Sequence, residues 1–332
     1  MSSPDDLLPV HWLSLGGTLQ SRGHDPLDTD RYWQTGQSLT PDEVLAPVRS
    51  LVGPVTVEAV DARPSHDLSP DALLALVARL RGLDPATTAG AVVSLGSNGL
   101  EEVAFLIWLL GARVPVALTA SMRPPTAIGS DALPNLVDAL TVARSPGLRD
   151  HHVVVVSDGA ILHPAEAMKS HSSRVDSFRA SATPLGEVHA GVPRWRRHPL
   201  PGPLRDQPLP ATLAPVEIVT SYVGSDGAAI RSATGRGVRG IVSAGTGAGF
   251  PTTAERHALD DAAAAGVVVC QAQRTPYGQV AGTALPVLCA RGLTPQKTRL
   301  LLAVVLGRDE VGGEADLVGL QRVLDVAGGT SA

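Results

Sequence analysis

Apolar and polar positions alternate in blocks along most of the chain, and the blocks predict a repeating strand–helix order. Short apolar runs bounded by turn residues predict buried strands over 10–15, 91–94, 114–118 and 153–156, and the alternating stretch 55–60 predicts another. Between them lie two well-signalled helix starts. Thr40-Pro41-Asp42-Glu43 and Ser69-Pro70-Asp71 each offer a capping hydroxyl, a proline at the first helical position and acids in the first turn. The second should run to Leu80, a third helix covers 100–110, and a fourth ends near Ala143. Residues 19–38 are polar, with Gly23, Pro26 and Gly36, and read as a long loop.

The rhythm breaks over 184–214. This stretch is rich in proline and carries Arg194, Arg196, Arg197 and Arg205, so it reads as a crossing linker or an extended hairpin with a solvated basic face. A second strand–helix series follows, with strands over 216–220, 239–242 and 266–270 and helices over 226–235, 252–265, 294–305 and 315–326. Such alternation predicts α/β architecture with parallel-rich sheets and helices on both faces. The expected division is an N-terminal domain over 1–190, a linker over 191–214 and a C-terminal domain over 215–332.

Composition narrows the function classes. The protein has 332 residues and a net charge of −5, which does not suggest a nucleic-acid surface. No apolar run approaches the ~20 residues needed to span a bilayer. The acidic start Met1-Ser-Ser-Pro-Asp-Asp lacks the basic region of a signal peptide, so a cytoplasmic protein without membrane partners is expected. The two cysteines, Cys270 and Cys289, sit in apolar surroundings and read as small buried hydrophobes of a reducing compartment.

The chemistry concentrates at the turn after the 91–94 strand. There Gly96 and Gly99 bracket Ser97 and Asn98, and Glu101-Glu102 opens a helix with Val103, Phe105, Leu106, Leu109 and Leu110 on its apolar face. A strand, a polar turn and a helix N-terminus can hold hydroxyls and backbone N–H groups against an anion. The same residues equally suit an ordinary turn between a strand and a helix, and this stretch alone leaves both readings open.

The order of motifs resembles the bacterial-type L-asparaginase/glutaminase family. It starts with Leu15-Gly16-Gly17-Thr18-Leu19, Ser94-Leu95-Gly96-Ser97-Asn98-Gly99-Leu100-Glu101-Glu102 and Leu118-Thr119-Ala120-Ser121-Met122-Arg123-Pro124. It goes on through Ser130-Asp131-Ala132-Leu133-Pro134-Asn135-Leu136, Ala167-Met168-Lys169-Ser170 and Gly240-Ile241-Val242-Ser243-Ala244-Gly245-Thr246-Gly247, and ends at Gly292-Leu293-Thr294-Pro295-Gln296-Lys297. The resemblance implies a larger N-terminal and a smaller C-terminal α/β domain. It also implies hydrolysis of a small amide through an acyl-enzyme without cofactor or metal, and a homotetramer (a dimer of dimers) with shared active sites.

Carried residue by residue, the resemblance makes Thr18 the nucleophile. Its hydroxyl needs a partner to lose a proton at neutral pH. Tyr32 is the nearest match to the family's loop tyrosine, although its spacing differs by about a residue. Ser97, Asn98 and Lys169 match the family's Thr-Asp-Lys group. Gly17, Ser65, His66, Gly96, Ser121 and Phe250 fall at positions expected to contact substrate, with Ser65 holding the substrate's carboxylate.

Several matches depart from the family pattern, and the departures share a sign. Asn98 replaces a carboxylate, His66 a glutamine, and Ala248-Gly249-Phe250-Pro251 a stretch with asparagines; Arg274-Thr275-Pro276-Tyr277-Gly278-Gln279 offers no acid. A neutral amide beside Lys169 does not favour the charged ammonium as a carboxylate does, so the lysine should lose its proton more readily and act as base to Ser97. The competing outcome is a broken network. The expected substrate is a small amide or lactam without a free α-ammonium. A low-activity L-asparaginase and a non-catalytic binding or assembly protein of the same fold remain as alternatives.

Overall fold

A computed structural model describes residues 7–60, 62–148, 152–282, 286–308 and 314–329. The acidic start Met1–Asp6 lies outside the described residues. Two compact units form, Met1–Asp206 and Gln207–Ala332.

The first unit carries β1 (Val10–Ser14), α1 (Pro41–Leu45), β2 (Val55–Ala59), α2 (Pro70–Gly82), β3 (Gly90–Ser94), α3 (Leu100–Leu110), β4 (Val116–Thr119), α4 (Ala132–Arg144), β5 (Val153–Ser157), β6 (Ala160–Leu162), β7 (Ala167–Lys169), β8 (Phe178–Ala180), β9 (Gly186–His189) and β10 (Val192–Trp195). Eight of these strands form one sheet in the order β10-β9-β6-β5-β4-β3-β1-β2, while β7 and β8 pair separately. The five strands from β2 to β5 run parallel, and β6, β9 and β10 extend the sheet antiparallel. Every residue of β3, β4 and β5 is buried, as expected for strands covered on both faces. The core on one face packs Leu136, Leu140 and Ala143 of α4 against Val10, Trp12, Val92 and Val154.

Both predicted helix starts form as their chemistry dictates. Thr40 and Glu43 make a reciprocal capping box on α1, and the Ser69 hydroxyl accepts the Ala72 N–H at 3.2 Å on α2. Residues 184–214 begin with the β9–β10 hairpin, so β10 belongs to the large sheet and the compact units divide beyond it, after Asp206.

The second unit carries β11 (Val216–Thr220), α5 (Ala228–Gly235), β12 (Gly240–Gly245), α6 (Thr253–Ala264), β13 (Val268–Gln273), β14 (Leu288–Cys289), α7 (Pro295–Leu306) and α8 (Glu314–Ala327). Its sheet, β11-β12-β13-β14, is parallel throughout. Cys270 and Cys289 are buried free thiols on neighbouring strands. Their register sets Cys270 beside Leu288 and Cys289 beside Gln271, so the two thiols point to opposite faces.

Candidate active site

β1 delivers Thr18 to the edge of the first unit through two glycines that no other residue replaces easily. Gly16 and Gly17 both hold positive φ, +73° and +82°. Gly17 combines this with ψ of −169°, a region essentially reserved for glycine. A Cβ there would lie 2.5 Å from the backbone nitrogen of Gly96. The β1 and β3 turns therefore touch backbone to backbone. Gly17→Ala should cost about 1–3 kcal/mol from conformation alone and displace Thr18 as well. The expected result is a thermal midpoint lowered by several degrees together with a disproportionate loss of activity. A variant with both properties unchanged would show that the close approach is dispensable.

A buried polar network fixes the same corner from below. Trp12 Nε1 donates to Ser94 Oγ at 2.9 Å, Ser14 Oγ donates to Gln20 Oε1 at 2.6 Å, and Gln20 Nε2 donates to the Leu39 carbonyl at 2.9 Å. These bonds tie β1, β3 and the turn Thr18–Gln20 into one frame. Thr18 is 7% exposed, and its hydroxyl lies 2.8 Å from the Tyr32 hydroxyl. The polar stretch read as a long loop contains a second short turn, Tyr32–Thr35. Thr35 Oγ1 donates to the carbonyls of Arg22 and Tyr32, both at 2.9 Å, and so folds Tyr32 back over Thr18.

The β3–α3 turn supplies the second hydroxyl. Lys169 Nζ lies 2.8 Å from Ser97 Oγ and 2.9 Å from Asn98 Oδ1. Lys169 ends the short strand β7, whose position is set by Glu101 in the first turn of α3. The Glu101 carboxylate accepts the backbone N–H of Lys169. Among the described residues no carboxylate pairs with the ammonium itself. Burial pushes Lys169 below the ordinary lysine range, and the Glu101 charge offsets this only in part.

Ser65 stands against the same turn. Its Oγ accepts the Gly99 N–H at 3.0 Å, capping α3 from a separate segment. An oxygen that accepts there keeps its own proton to donate to a ligand anion. Gly96 and Gly99 make room for it, since a Cβ on either would fall within 2.8 Å of Ser65 atoms.

These groups line one cleft of about 720 Å³. Gly17, Thr18, Tyr32, Ser65, His66, Gly96, Ser97, Asn98 and Lys169 all reach it. Ser121 does not line it. Its Oγ is buried without a hydrogen-bond partner among the described residues, while its neighbour Met122 faces the cleft. Asp131 shapes this wall by accepting the Met122 and Arg123 N–H groups. Phe250 belongs to the second unit, where it is 51% exposed and closes a turn with Thr246.

The cleft also holds residues that the sequence did not single out. Trp33, Arg63, Ser172 and Ser173 face it, and Asp30 is the one carboxylate among its described lining residues. Arg63 stands two residues before Ser65 and Ser172 three after Lys169, so proximity to matched residues was the available signal. Trp33 lacks a counterpart signal beyond its place beside Tyr32. Among the described residues no group of three or more His, Cys, Asp or Glu residues is placed to hold a metal ion.

Comparison with known proteins places this geometry in context. Residues 9–201 match the family model for the asparaginase N-terminal domain, and residues 215–315 match that for the glutaminase/asparaginase C-terminal domain. The protein is 28% identical over 316 residues to a glutaminase-asparaginase of Pseudomonas aeruginosa, which spans 90% of this sequence and 86% of that one. It is 32% identical over 321 residues to a probable L-asparaginase of Deinococcus radiodurans, spanning 91% and 94%. The crystal structure of a probable cytoplasmic L-asparaginase from Campylobacter jejuni shares the fold, with a TM-score of 0.87 at 24% identity over 96% of this protein and 99% of that one. No helix among the described residues is long and apolar enough to cross a membrane.

Proposed function

The protein belongs to the asparaginase family of amidohydrolases acting on linear amides, and from that premise we propose that it hydrolyses a small acid-amide lacking a free α-ammonium. Thr18 is the nucleophile. Its Oγ attacks the amide carbon as its proton leaves through the Tyr32 hydroxyl contact, and ammonia departs with a proton returned by the site. Water then attacks the Thr18 ester and releases the acid. Ser97 and Lys169 serve this sequence as a second proton-handling pair, with neutral lysine as the base.

One observation carries the substrate choice. Lys169 Nζ meets a hydroxyl and a neutral amide, with no carboxylate on it among the described residues. Asn98 stands where the family resemblance places the group that faces a substrate ammonium, and Asp30 is the one carboxylate among the described residues lining the cleft. A buried ammonium without an anionic partner costs on the order of several kcal/mol. A substrate carboxylate, by contrast, has the Ser65 hydroxyl, whose own proton stays available while its oxygen accepts the Gly99 N–H. Phe250, half-exposed on the second unit, fits a less polar contact to ligand within a homo-oligomer of the family type.

Asn98→Asp tests the assignment directly. It should tighten binding of L-asparagine, lowering its Kd by at least about tenfold if the restored carboxylate recovers about 1.4 kcal/mol. It should lower kcat/KM for succinamate, which has no ammonium to pair. An unchanged protein that already prefers L-asparagine, and that gains nothing from Asn98→Asp, is an ordinary asparaginase and contradicts the proposal.

A further inference from the structure

Trp33 is the one exposed aromatic residue among the described residues of the first unit, at 69%, and it stands in the wall of the cleft beside Tyr32. Large aromatics left in water forgo most of the burial that makes them useful, so a fixed, exposed indole in a binding cleft points to a ligand surface. This indole is fixed. Its Nε1 donates to the Asp30 carbonyl at 3.1 Å, and the turn Tyr32–Thr35 that carries it is closed by the Thr35 hydroxyl. The turn therefore presents Tyr32 to Thr18 and leaves the face of the next residue open to ligand.

Size and charge agree with this placement. A cleft of about 720 Å³ is in the range that takes drug-sized ligands. The amine that Asn98 does not pair loses its charge once it is acylated, and the acyl group adds a planar, partly apolar substituent of the kind that stacks on indole.

We propose that Trp33 is a specificity-determining platform for the acyl group of an N-acylated amino-acid amide, so that the substrate class is an N-acyl asparagine-type compound rather than a bare des-amino amide. The inference rests on the reading that the substrate carboxylate sits at Ser65 with the scissile amide at Thr18. The acyl group then extends from the α-nitrogen along the wall made by Trp33. Hydrolysis leaves the acyl group in place: the C–N bond of the terminal carboxamide breaks, water supplies the new oxygen, and the products are ammonia and the N-acyl diacid.

The test compares N-benzoyl-L-asparagine with succinamate, for turnover and for calorimetric binding, on the unchanged protein, Trp33→Ala and Trp33→Phe. Trp33→Ala should weaken binding and lower kcat/KM for N-benzoyl-L-asparagine by about three- to tenfold, carried mainly by KM, and leave succinamate within about twofold. Trp33→Phe should recover most of the loss. Equal losses on both ligands, or none on the benzoyl compound, overturn the platform while leaving the hydrolase proposal intact. Trp33-dependent binding of the benzoyl compound without any turnover supports the platform and rejects the hydrolase proposal. Failure of the unchanged protein to bind the benzoyl compound overturns the platform.

Discussion

Thr18→Ala is expected to lower kcat/KM on any substrate of this protein by at least about 10³-fold, because the proposed reaction makes its hydroxyl the nucleophile. The hydroxyl sits at the end of a rigid path. Gly16 and Gly17 bend the backbone out of β1, and the buried network from Trp12 to Gln20 prevents the turn from relaxing. Loss of a methyl and a hydroxyl at the cleft wall should barely alter stability, so the unfolding midpoint serves as the control. Thr18→Ser keeps a hydroxyl within reach of Tyr32 and should retain measurable activity. Mass spectrometry of protein quenched during turnover should find the acyl adduct on the peptide holding Thr18 and none in Thr18→Ala. An adduct on Ser97 instead would move the nucleophile to the other hydroxyl.

Lys169→Met should cost about 10²–10⁴-fold in kcat/KM, the range for loss of a positioned acid–base group. Its pH signature separates this role from packing. Only the neutral amine can take a proton, so activity governed by Lys169 rises as pH rises through its pKa. Burial holds that pKa below the ordinary lysine range, which brings the rising limb to lower pH than an exposed lysine would give. Asn98→Asp places a carboxylate where the amide oxygen now meets Nζ, favours the ammonium and should move the limb upward. Lys169→Arg should fail to rescue, since a guanidinium does not deprotonate in this range. Full activity in Lys169→Met, or a limb unmoved by Asn98→Asp, would remove lysine from the proton path.

The parts of this structure that were legible in the sequence are those built from long local patterns. β3 is apolar over most of its length and α3 shows its buried residues over three turns, so both were readable before any contact was known. The caps at Thr40 and Ser69 carried their own chemistry. What escaped is short and fixed by partners elsewhere in the sequence. β6, β7 and β8 have three residues each, too few for a period to register. β7 nonetheless places Lys169, and it does so through Glu101, 68 residues earlier. The polar stretch 19–38 carries no apolar period, yet Thr35 curls it so that Tyr32 meets Thr18. Trp33 was invisible for the opposite reason. A lone aromatic in a polar loop has no pattern, and only its exposure inside a cleft gives it meaning.

Under the proposed function, this asparaginase-family cleft disfavours a zwitterionic amide and takes one without an α-ammonium. The most direct measurement is kcat/KM of the unchanged protein for L-asparagine, succinamate and N-acetyl-L-asparagine under one set of conditions, read as released ammonia. At least one of the two substrates lacking the ammonium should exceed L-asparagine by about tenfold or more, the ratio set by an ion-pair difference of about 1.4 kcal/mol. L-Asparagine turned over faster than both would contradict it.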